Sequence, residues 1–371
     1  MKQSPLKVLH IDTELTWRGG ENQVRLLMEG GKEEAEWFLA APRESAIAQR
    51  LSALASLFPL ERPTLQWLPA MPRLARFCRE QGINIVDCQS SKAHSIGLIL
   101  KRLVPSLKLV VHRRVDFLPA KGMWSRRKYL HPSVDAYIAI SQAIAEILVR
   151  AGIPKQKIHV VRSAVDPKVF TQVNRRKIRP SVCTELGFVD HSRPIIINVA
   201  YHTPQKGQET LIYALSHLKK MGHKFYAIFA GEGPLTKHLM ELSQKLGCES
   251  ELRFLGIRKD VPRLLAASDI CAMPSRYEGL GTSILDAIHA GCAVAATRVG
   301  GIPEMIQHGH TGLLSEVEDD HGLAANLAIL IDQDEKRQFF SETAKKHISQ
   351  LFSLDSMVEG NLAVYRQLTS Q

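Results

Sequence analysis

The stretch Ile270–Leu314, ICAMPSRYEGLGTSILDAIHAGCAVAATRVGGIPEMIQHGHTGLL, decides how the rest of the chain is read. Ile270–Met273 is an apolar run that meets Pro274 and Ser275, then a glycine-rich turn, Glu278-Gly279-Leu280-Gly281-Thr282-Ser283. The spacing predicts a helix over about Thr282–His289, stopped by Gly291, and a second strand at Ala293–Ala296. Strand, glycine loop, helix and strand in that order form one unit of a parallel α/β sheet. In such sheets the loop at the carboxyl end of a strand faces the ligand crevice. Amides at a helix N-terminus hold negative oxygens there. Glu278, ahead of the helix, is placed to turn a carboxylate into that crevice, and Asp286 lies about one turn inside the helix. Alone, this pattern is also that of an ordinary tight turn with solvated carboxylates. A second turn, Gly300-Gly301-Ile302-Pro303-Glu304, follows the second strand. Two such loops at one sheet edge suit a phosphate-bearing ligand with hydroxyls.

At 371 residues the chain is too long for one small core, and two domains of roughly 180 residues are expected. Its 45% hydrophobic and 23% charged content is that of a globular protein. The net charge of +11 calls for an anionic substrate, nucleic acid or an anionic membrane surface. Six scattered cysteines (78, 88, 183, 248, 271, 292) make no CxxC pair, which argues against a zinc site or disulfide scaffold and for a reducing compartment. The start, MKQSPLKVLHIDTE, does not read as a signal peptide, and no apolar run reaches the eighteen residues of a membrane span.

Working outward, Lys7–Ile11 reads as a first strand that leads into Trp17-Arg18-Gly19-Gly20-Glu21 and a helix from about Asn22. The glycine pair has neither the dinucleotide nor the P-loop spacing. Strands at Trp37–Ala41, Ile83–Cys88, Leu107–His112, Val134–Ser141 and Ile158–Val161 alternate with helices at Ser45–Leu57, Pro69–Gln81, Ala93–Leu103 and Ala143–Ala151. Ser141 stands as an N-cap. Between Lys101 and His131 there are nine Lys/Arg and one acid, Asp116, with Phe117, Trp124 and Tyr129 interspersed. That mixture suits an anionic membrane surface. It also suits nucleic-acid phosphates, or a solvated loop with a few core anchors.

Thr171–Pro180 (TQVNRRKIRP), polar and basic, reads as the linker. The second domain follows with strands at Ile195–Ala200, Phe225–Ala230 and Leu252–Leu255, and helices at Glu209–Met221, Thr236–Leu246 and Val261–Ala267. Lys206, just ahead of a helix start, is well placed for a diphosphate, or else is a solvated lysine. Helices near His321–Asp332 and Glu335–Ile348 precede a last one, Leu354–Leu368, expected to pack back towards the first domain. The expected division is 1–180, 181–350 and a C-terminal helix in 351–371.

With these residues in order, the chain resembles the retaining glycosyltransferases of family 4. The resemblance rests on Pro274–Gly281 through Gly312-Leu313-Leu314, Lys206-Gly207, Phe229–Leu235, Phe254-Leu255-Gly256, Asp260-Val261, Leu264–Asp269 and Gly19-Gly20. It is dense over Ile195–Leu314 and thinner but collinear before that. It implies an α/β GT-B fold, two Rossmann-like domains facing each other across a cleft. The N-terminal domain would take the acceptor and the C-terminal domain a nucleoside-diphosphate sugar.

Carried over residue by residue, Glu278 matches the acid that orients the donor sugar and stabilises positive charge on its ring. Asp286 stands where the family has a ribose-binding glutamate. Lys206 matches the cation that neutralises the leaving diphosphate, and its usual arginine partner is Tyr201 here, with Arg258 or a basic residue of the first domain as the candidate substitute. Ser275, Gly279, Leu280, Gly281, Thr282, Ser283, Gly231, Gly19 and Gly20 complete the donor-binding set. The position of the family's histidine beside the donor sugar falls on Arg114, with His112 two residues earlier as the alternative if the strand bulges. Ser163-Ala164 replaces the usual Asn-Gly before Val165-Asp166.

The implied reaction moves a hexose-type sugar, UDP-sugar favoured, to an acceptor hydroxyl with retention and without a metal or other cofactor. The acceptor expected is a lipid-linked or lipopolysaccharide-type glycan, met by a cytoplasmic protein at the inner face of a membrane, with no nucleic acid as partner. The rival readings are a nucleotide-sugar epimerase or other enzyme of the same fold, marked by donor turnover without acceptor, and a basic nucleic-acid-binding protein. The last predicts salt-sensitive binding to any polyanion and leaves Glu278 and the glycine loops without a role.

Overall fold

A computed structural model describes residues 5–60, 68–114, 116, 123–171 and 173–370. The chain divides into two compact units, Met1–Ala164 with Phe352–Gln371, and Val165–Leu351.

The first unit opens with β1 (Leu6–Ile11), α1 (Gly19–Gly30), β2 (Ala35–Pro42), α2 (Ala46–Arg50) and β3 (Ser56–Leu60). Next come α3 (Met71–Gln81), β4 (Ile85–Cys88), α4 (Ser91–Leu103), β5 (Lys108–Arg113) and α5 (Met123–Tyr129). β6 (Ala136–Ala139), α6 (Gln142–Arg150) and β7 (Ile158–Val160) complete the alternation. Seven parallel strands lie in the order β3-β2-β1-β4-β5-β6-β7, so the winding reverses between β1 and β4. Every residue of β4 and β6 is buried, as a sheet covered on both faces requires. Ser141 caps α6, its hydroxyl accepting from the Ile144 amide at 3.2 Å.

The second unit runs α7 (Lys168–Thr171), α8 (Arg175–Glu185), β8 (Ile195–Val199), α9 (Gln208–Lys220), β9 (Tyr226–Ala230) and α10 (Thr236–Lys245). It continues with β10 (Leu252–Phe254), α11 (Val261–Ala267), β11 (Ile270–Met273), α12 (Thr282–His289) and β12 (Ala293–Thr297). α13 (Ile302–Met305), β13 (Leu313–Ser315), α14 (Asp320–Asp332) and α15 (Asp334–Leu351) end it. Its six parallel strands are ordered β10-β9-β8-β11-β12-β13, reversing between β8 and β11. Asn198 ties that reversal, donating to the Ala272 carbonyl at 2.8 Å. The last helix, α16 (Leu354–Thr369), returns to the first unit, where Leu362 and Tyr365 join a core with Val8, Leu27 and Val110.

Four expectations are corrected. The helix expected over Ser45–Leu57 is only the five-residue α2, and Ser56–Leu60 forms β3. An apolar run of that length reads either way, and Pro59 is accommodated because β3 is an edge strand. Thr171–Pro180 is not a linker, since Arg175–Glu185 is helical. Its arginines are paired: Arg175 donates to the Ser268 carbonyl at 2.6 Å, and Arg179 to Asp269 Oδ2 at 2.7 Å. Arg176 and Lys177 point to solvent. The chain accordingly changes unit after Ala164, ahead of the expected boundary at 180. Gly19 and Gly20, expected in a loop, are the first residues of α1.

Candidate active site

In the second unit the expected residues converge at the carboxyl ends of β8 and β11. Lys206 ends a short 3₁₀ turn, Pro204–Lys206, and its Nζ lies 2.5 Å from Glu278 Oε2. Ser275 Oγ donates to the same oxygen at 3.3 Å. Both side chains are partly shielded, the lysine 26% and the glutamate 11% exposed, so their attraction is less screened than at an open surface.

The two loops are bound together by their backbones. The Gln205 carbonyl accepts from the Arg276 amide at 2.8 Å and the Tyr277 amide at 3.3 Å. Gly207 sits at φ +63°, where a Cβ would come within 2.0 Å of the Pro274 carbonyl oxygen, so only glycine lets these loops meet. Thr297, at the end of β12, donates to the Ser275 carbonyl at 2.5 Å, and the Gly301 amide donates to the Glu278 carbonyl at 3.3 Å. The second glycine turn therefore buttresses the first. Gln205 and Thr297 were missed from sequence, because a backbone acceptor and a lone threonine carry no motif.

Leu280 is buried, Gly281 is the left-handed N-cap of α12, and Thr282 and Ser283 form its first turn. The first-turn amides of a helix lack intrahelical partners, so this end offers donors to an anion. Asp286 sits one turn further in, partly exposed, with its carboxyl pushed up to about 7 by burial. Gly231, at φ +142°, packs its Cα on the Ala200 carbonyl, and its amide donates to Gly256 at 2.8 Å. Tyr201 is 45% exposed at the end of β8. Arg258 does not join Lys206: it is bound to Asp260 at 2.7 Å and Glu185 at 2.8 Å, ion pairs it would have to break to reach a diphosphate.

In the first unit, β5 pairs in unbroken register through His112 and Arg113, so no bulge brings His112 to the end of the strand. His112 is buried beneath the sheet end, with Nδ1 2.8 Å from Asp87 Oδ1 and Nε2 3.1 Å from Asn361 Oδ1. Arg114, the first residue past β5, donates to Gln89 Oε1 at 2.8 Å, and its stem passes Gly20. Burial lowers its guanidinium, and the acids Asp87, Glu21 and Asp12 oppose that. These acids face the Arg114 charge without fully offsetting its burial. Asp12, at the end of β1, is buried and its carboxyl is pushed up to about 7, chiefly by burial, against the hydrogen bond from the Glu14 amide. Asp12, Asp87, Gln89, Asn361 and Tyr365 were also missed: each lies in an apolar strand or helix, at a strand end, or far along the chain.

Much of the basic segment is engaged internally. Lys101 pairs with Asp135 at 3.0 Å, Arg113 donates to the Tyr129 hydroxyl at 3.0 Å, and Lys128 holds Ser91 Oγ at 2.7 Å. Arg102, Arg126 and Arg127 face solvent. Phe117-Leu118-Pro119 and the side chains of Met123 and Trp124 lie outside the described residues. No helix among the described residues is long and apolar enough to cross a membrane. The one group of metal-donor side chains among them, His217, Asp320 and His321, lies on α9 and α14, not on the loops carrying Lys206 and Glu278.

Comparison with known proteins agrees with this arrangement. The family described as Glycosyltransferase Family 4 matches residues 17–169, and Glycosyl transferases group 1 matches residues 187–347. Among curated relatives, the N-acetyl-alpha-D-glucosaminyl L-malate synthase of Bacillus anthracis is 28% identical over 232 residues, covering 62% of this chain and 59% of that one. The alpha-maltose-1-phosphate synthase of Mycolicibacterium smegmatis is 29% identical over 259 residues, 64% of each chain. This chain therefore spans about three-fifths of the length of these relatives. The crystal structure of Anabaena Alr3699/HepE with UDP and glucose superposes with a TM-score of 0.84 at 23% identity, over 99% of this chain and 100% of that one, a likeness of fold. The chain belongs to the family 4 glycosyltransferases and has their GT-B fold.

Proposed function

We propose that this protein transfers a sugar, with retention, from a nucleoside-diphosphate sugar to an acceptor hydroxyl. UDP is the nucleotude of choice among donors, and a lipid-linked or lipopolysaccharide-type glycan is the acceptor. The observation that carries the reading is the Lys206–Glu278–Ser275 cluster, set against the N-terminus of α12 at the sheet reversal. There Lys206 and the first-turn amides would neutralise the diphosphate as the bond from sugar C1 to its oxygen breaks. Glu278 would orient the sugar and face the positive charge on its ring, and Asp286 would accept from the ribose hydroxyls. The acceptor oxygen would bond to C1 on the face the diphosphate leaves, and its proton would pass to the departing diphosphate oxygen. No metal is needed in this scheme.

The exposed Arg102, Arg126 and Arg127 support a peripheral position on the anionic inner face of a membrane, where basic side chains meet lipid phosphates. The test is incubation with UDP-sugars and membrane extracts, with and without chelator, followed by mass spectrometry of the glycolipids and NMR of the new linkage. An α-linked product formed in chelator supports the reading. Donor turnover without any acceptor product refutes it in favour of an epimerase.

A further inference from the structure

α9 and α14 pack along one seam of the second unit, and histidines meet acids there twice. His223 Nδ1, just past α9, lies 3.1 Å from Asp332 Oδ1, an ordinary pairing of one ring with one carboxylate. His217, in the last turn of α9, is placed differently. Its Nε2 lies 3.2 Å from Oδ2 of Asp320, the first residue of α14. Its ring also stacks on that of His321, with centroids 4.2 Å apart and planes inclined by 21°. The donor atoms of His217, Asp320 and His321 all lie within 4.8 Å of one another, and among the described residues no other group of three metal-donor side chains does.

The chemistry of this donor set is selective. Two imidazole nitrogens and one carboxylate oxygen suit zinc, copper or nickel, whereas magnesium and calcium take oxygen ligands. In a tetrahedral zinc site with bonds of about 2.0–2.1 Å, neighbouring donors stand about 3.3 Å apart. The His217–Asp320 separation already has that length. Any longer separation in the group involves His321 and has to shorten by at most about 1.5 Å. His321 is exposed and hydrogen-bonded to no described residue, so its side chain can swing to make that change. Asp319 is not available as a fourth ligand while it caps α14, its Oδ1 accepting from the Gly322 amide at 2.8 Å, and solvent completes the shell. A metal on His217 Nε2 requires the neutral ring's one hydrogen on Nδ1, and no described residue bonds that nitrogen.

We propose that His217, Asp320 and His321 bind a divalent transition metal of the zinc class, which ties the last turn of α9 to the first turn of α14. The side chains of His217 and Asp320, 27% and 29% exposed, are held in the seam, and His321 closes the site from the solvent side. This site is separate from the transfer chemistry: His217 lies roughly 14 Å of helix beyond Gln208, which starts α9 next to the Lys206 turn. The metal stabilises the folded second unit by mass action, since the unfolded chain does not hold the three donors together. Chelator therefore lowers the melting temperature without stopping sugar transfer.

The test is calorimetry of the untagged full chain with Zn²⁺, beside melting curves in Zn²⁺ and in chelator. One Zn²⁺ per chain is expected, with a higher melting temperature in Zn²⁺ than in chelator, and excess Mg²⁺ or Ca²⁺ is expected to reproduce neither. His321→Ala removes an exposed ligand, and His217→Phe keeps a stacking ring without its nitrogens. Each is expected to weaken Zn²⁺ binding at least about tenfold, the scale of losing even an outer partner of a metal ligand, and to shrink the melting difference. His223→Ala, which removes the ring of the other pair on the seam, is expected to leave both readings as in wild type. Absence of stoichiometric Zn²⁺ binding, or binding that survives His321→Ala, overturns the proposal, as does an equal loss in His223→Ala. If His217→Phe does not fold, His321→Ala decides.

Discussion

Lys206 Nζ and Glu278 Oε2, separated by 2.5 Å, form one ion pair between two loops of the second unit. The lysine is the cation proposed to receive the diphosphate, and we expect the incoming phosphate to compete with the carboxylate for that ammonium, exchanging one partner for the other. The pair therefore opposes ground-state binding of the nucleotide even as it keeps both side chains at the sheet reversal.

Glu278→Gln removes the competing charge. Nucleoside diphosphate alone is expected to bind as tightly as to wild type or more so, while transfer falls roughly 10²–10³-fold, the scale of losing one preorganised catalytic group. Calorimetry of the nucleotide beside turnover assays checks both. Equal losses in binding and turnover would refute the exchange.

Gly207→Ala puts a methyl group against the Pro274 carbonyl at a left-handed backbone position. The loops are expected to separate, with a loss of stability of about 1–3 kcal/mol and of donor affinity together. A denaturant titration and a binding isotherm on the same sample check it.

Arg258→Ala should leave donor affinity within about twofold, because Asp260 and Glu185 hold that side chain. Exposed pairs of this kind contribute about 0–1 kcal/mol. A large loss of donor affinity would return Arg258 to the site.

Asp12→Asn tests the buried carboxyl at the end of β1. With the folded value pushed up to about 7 by burial against an ordinary value of 3.8, the folded chain binds more protons than the unfolded one between those limits. Stability contributed by this group therefore falls as pH rises from about 4 to 7. The asparagine variant, able to keep the bond from the Glu14 amide, should melt higher than wild type at pH 8 and level with it at pH 4. The opposite trend would mean Asp12 is stabilised as an anion.

Much of this was legible in the chain itself. Ile270–Met273, Thr282–His289 and Val261–Ala267 fall where their apolar spacing places them, because apolar runs bounded by Gly, Pro or polar residues leave little choice. Glu278 and Lys206 each stand out beside a turn or helix start, but only the family resemblance puts them with Ser275 in one site; the structure brings the three side chains into contact. What sequence could not reach were partners distant along the chain. Asp87 and Tyr365 are 278 residues apart, and nothing local marks either as half of a buried bond. Arg175 and Arg179 were misread for the same reason: a basic run looks solvated until Asp269, some 90 residues on, supplies its counter-charge. The helix expected over Ser45–Leu57 gives way to a strand because Leu57 and Phe58 fit a strand as well as a helix.

The central claim, that the second unit holds a nucleoside-diphosphate sugar through Lys206, is tested most directly by calorimetry against UDP-, GDP- and ADP-sugars with wild type and Lys206→Ala side by side. One nucleotide should bind selectively, with UDP expected, and the variant should weaken it by about 100-fold, the 2.7 kcal/mol scale of a single preorganised charge contact. No binding of any donor at millimolar concentration, or binding undiminished by loss of Lys206, would contradict the account.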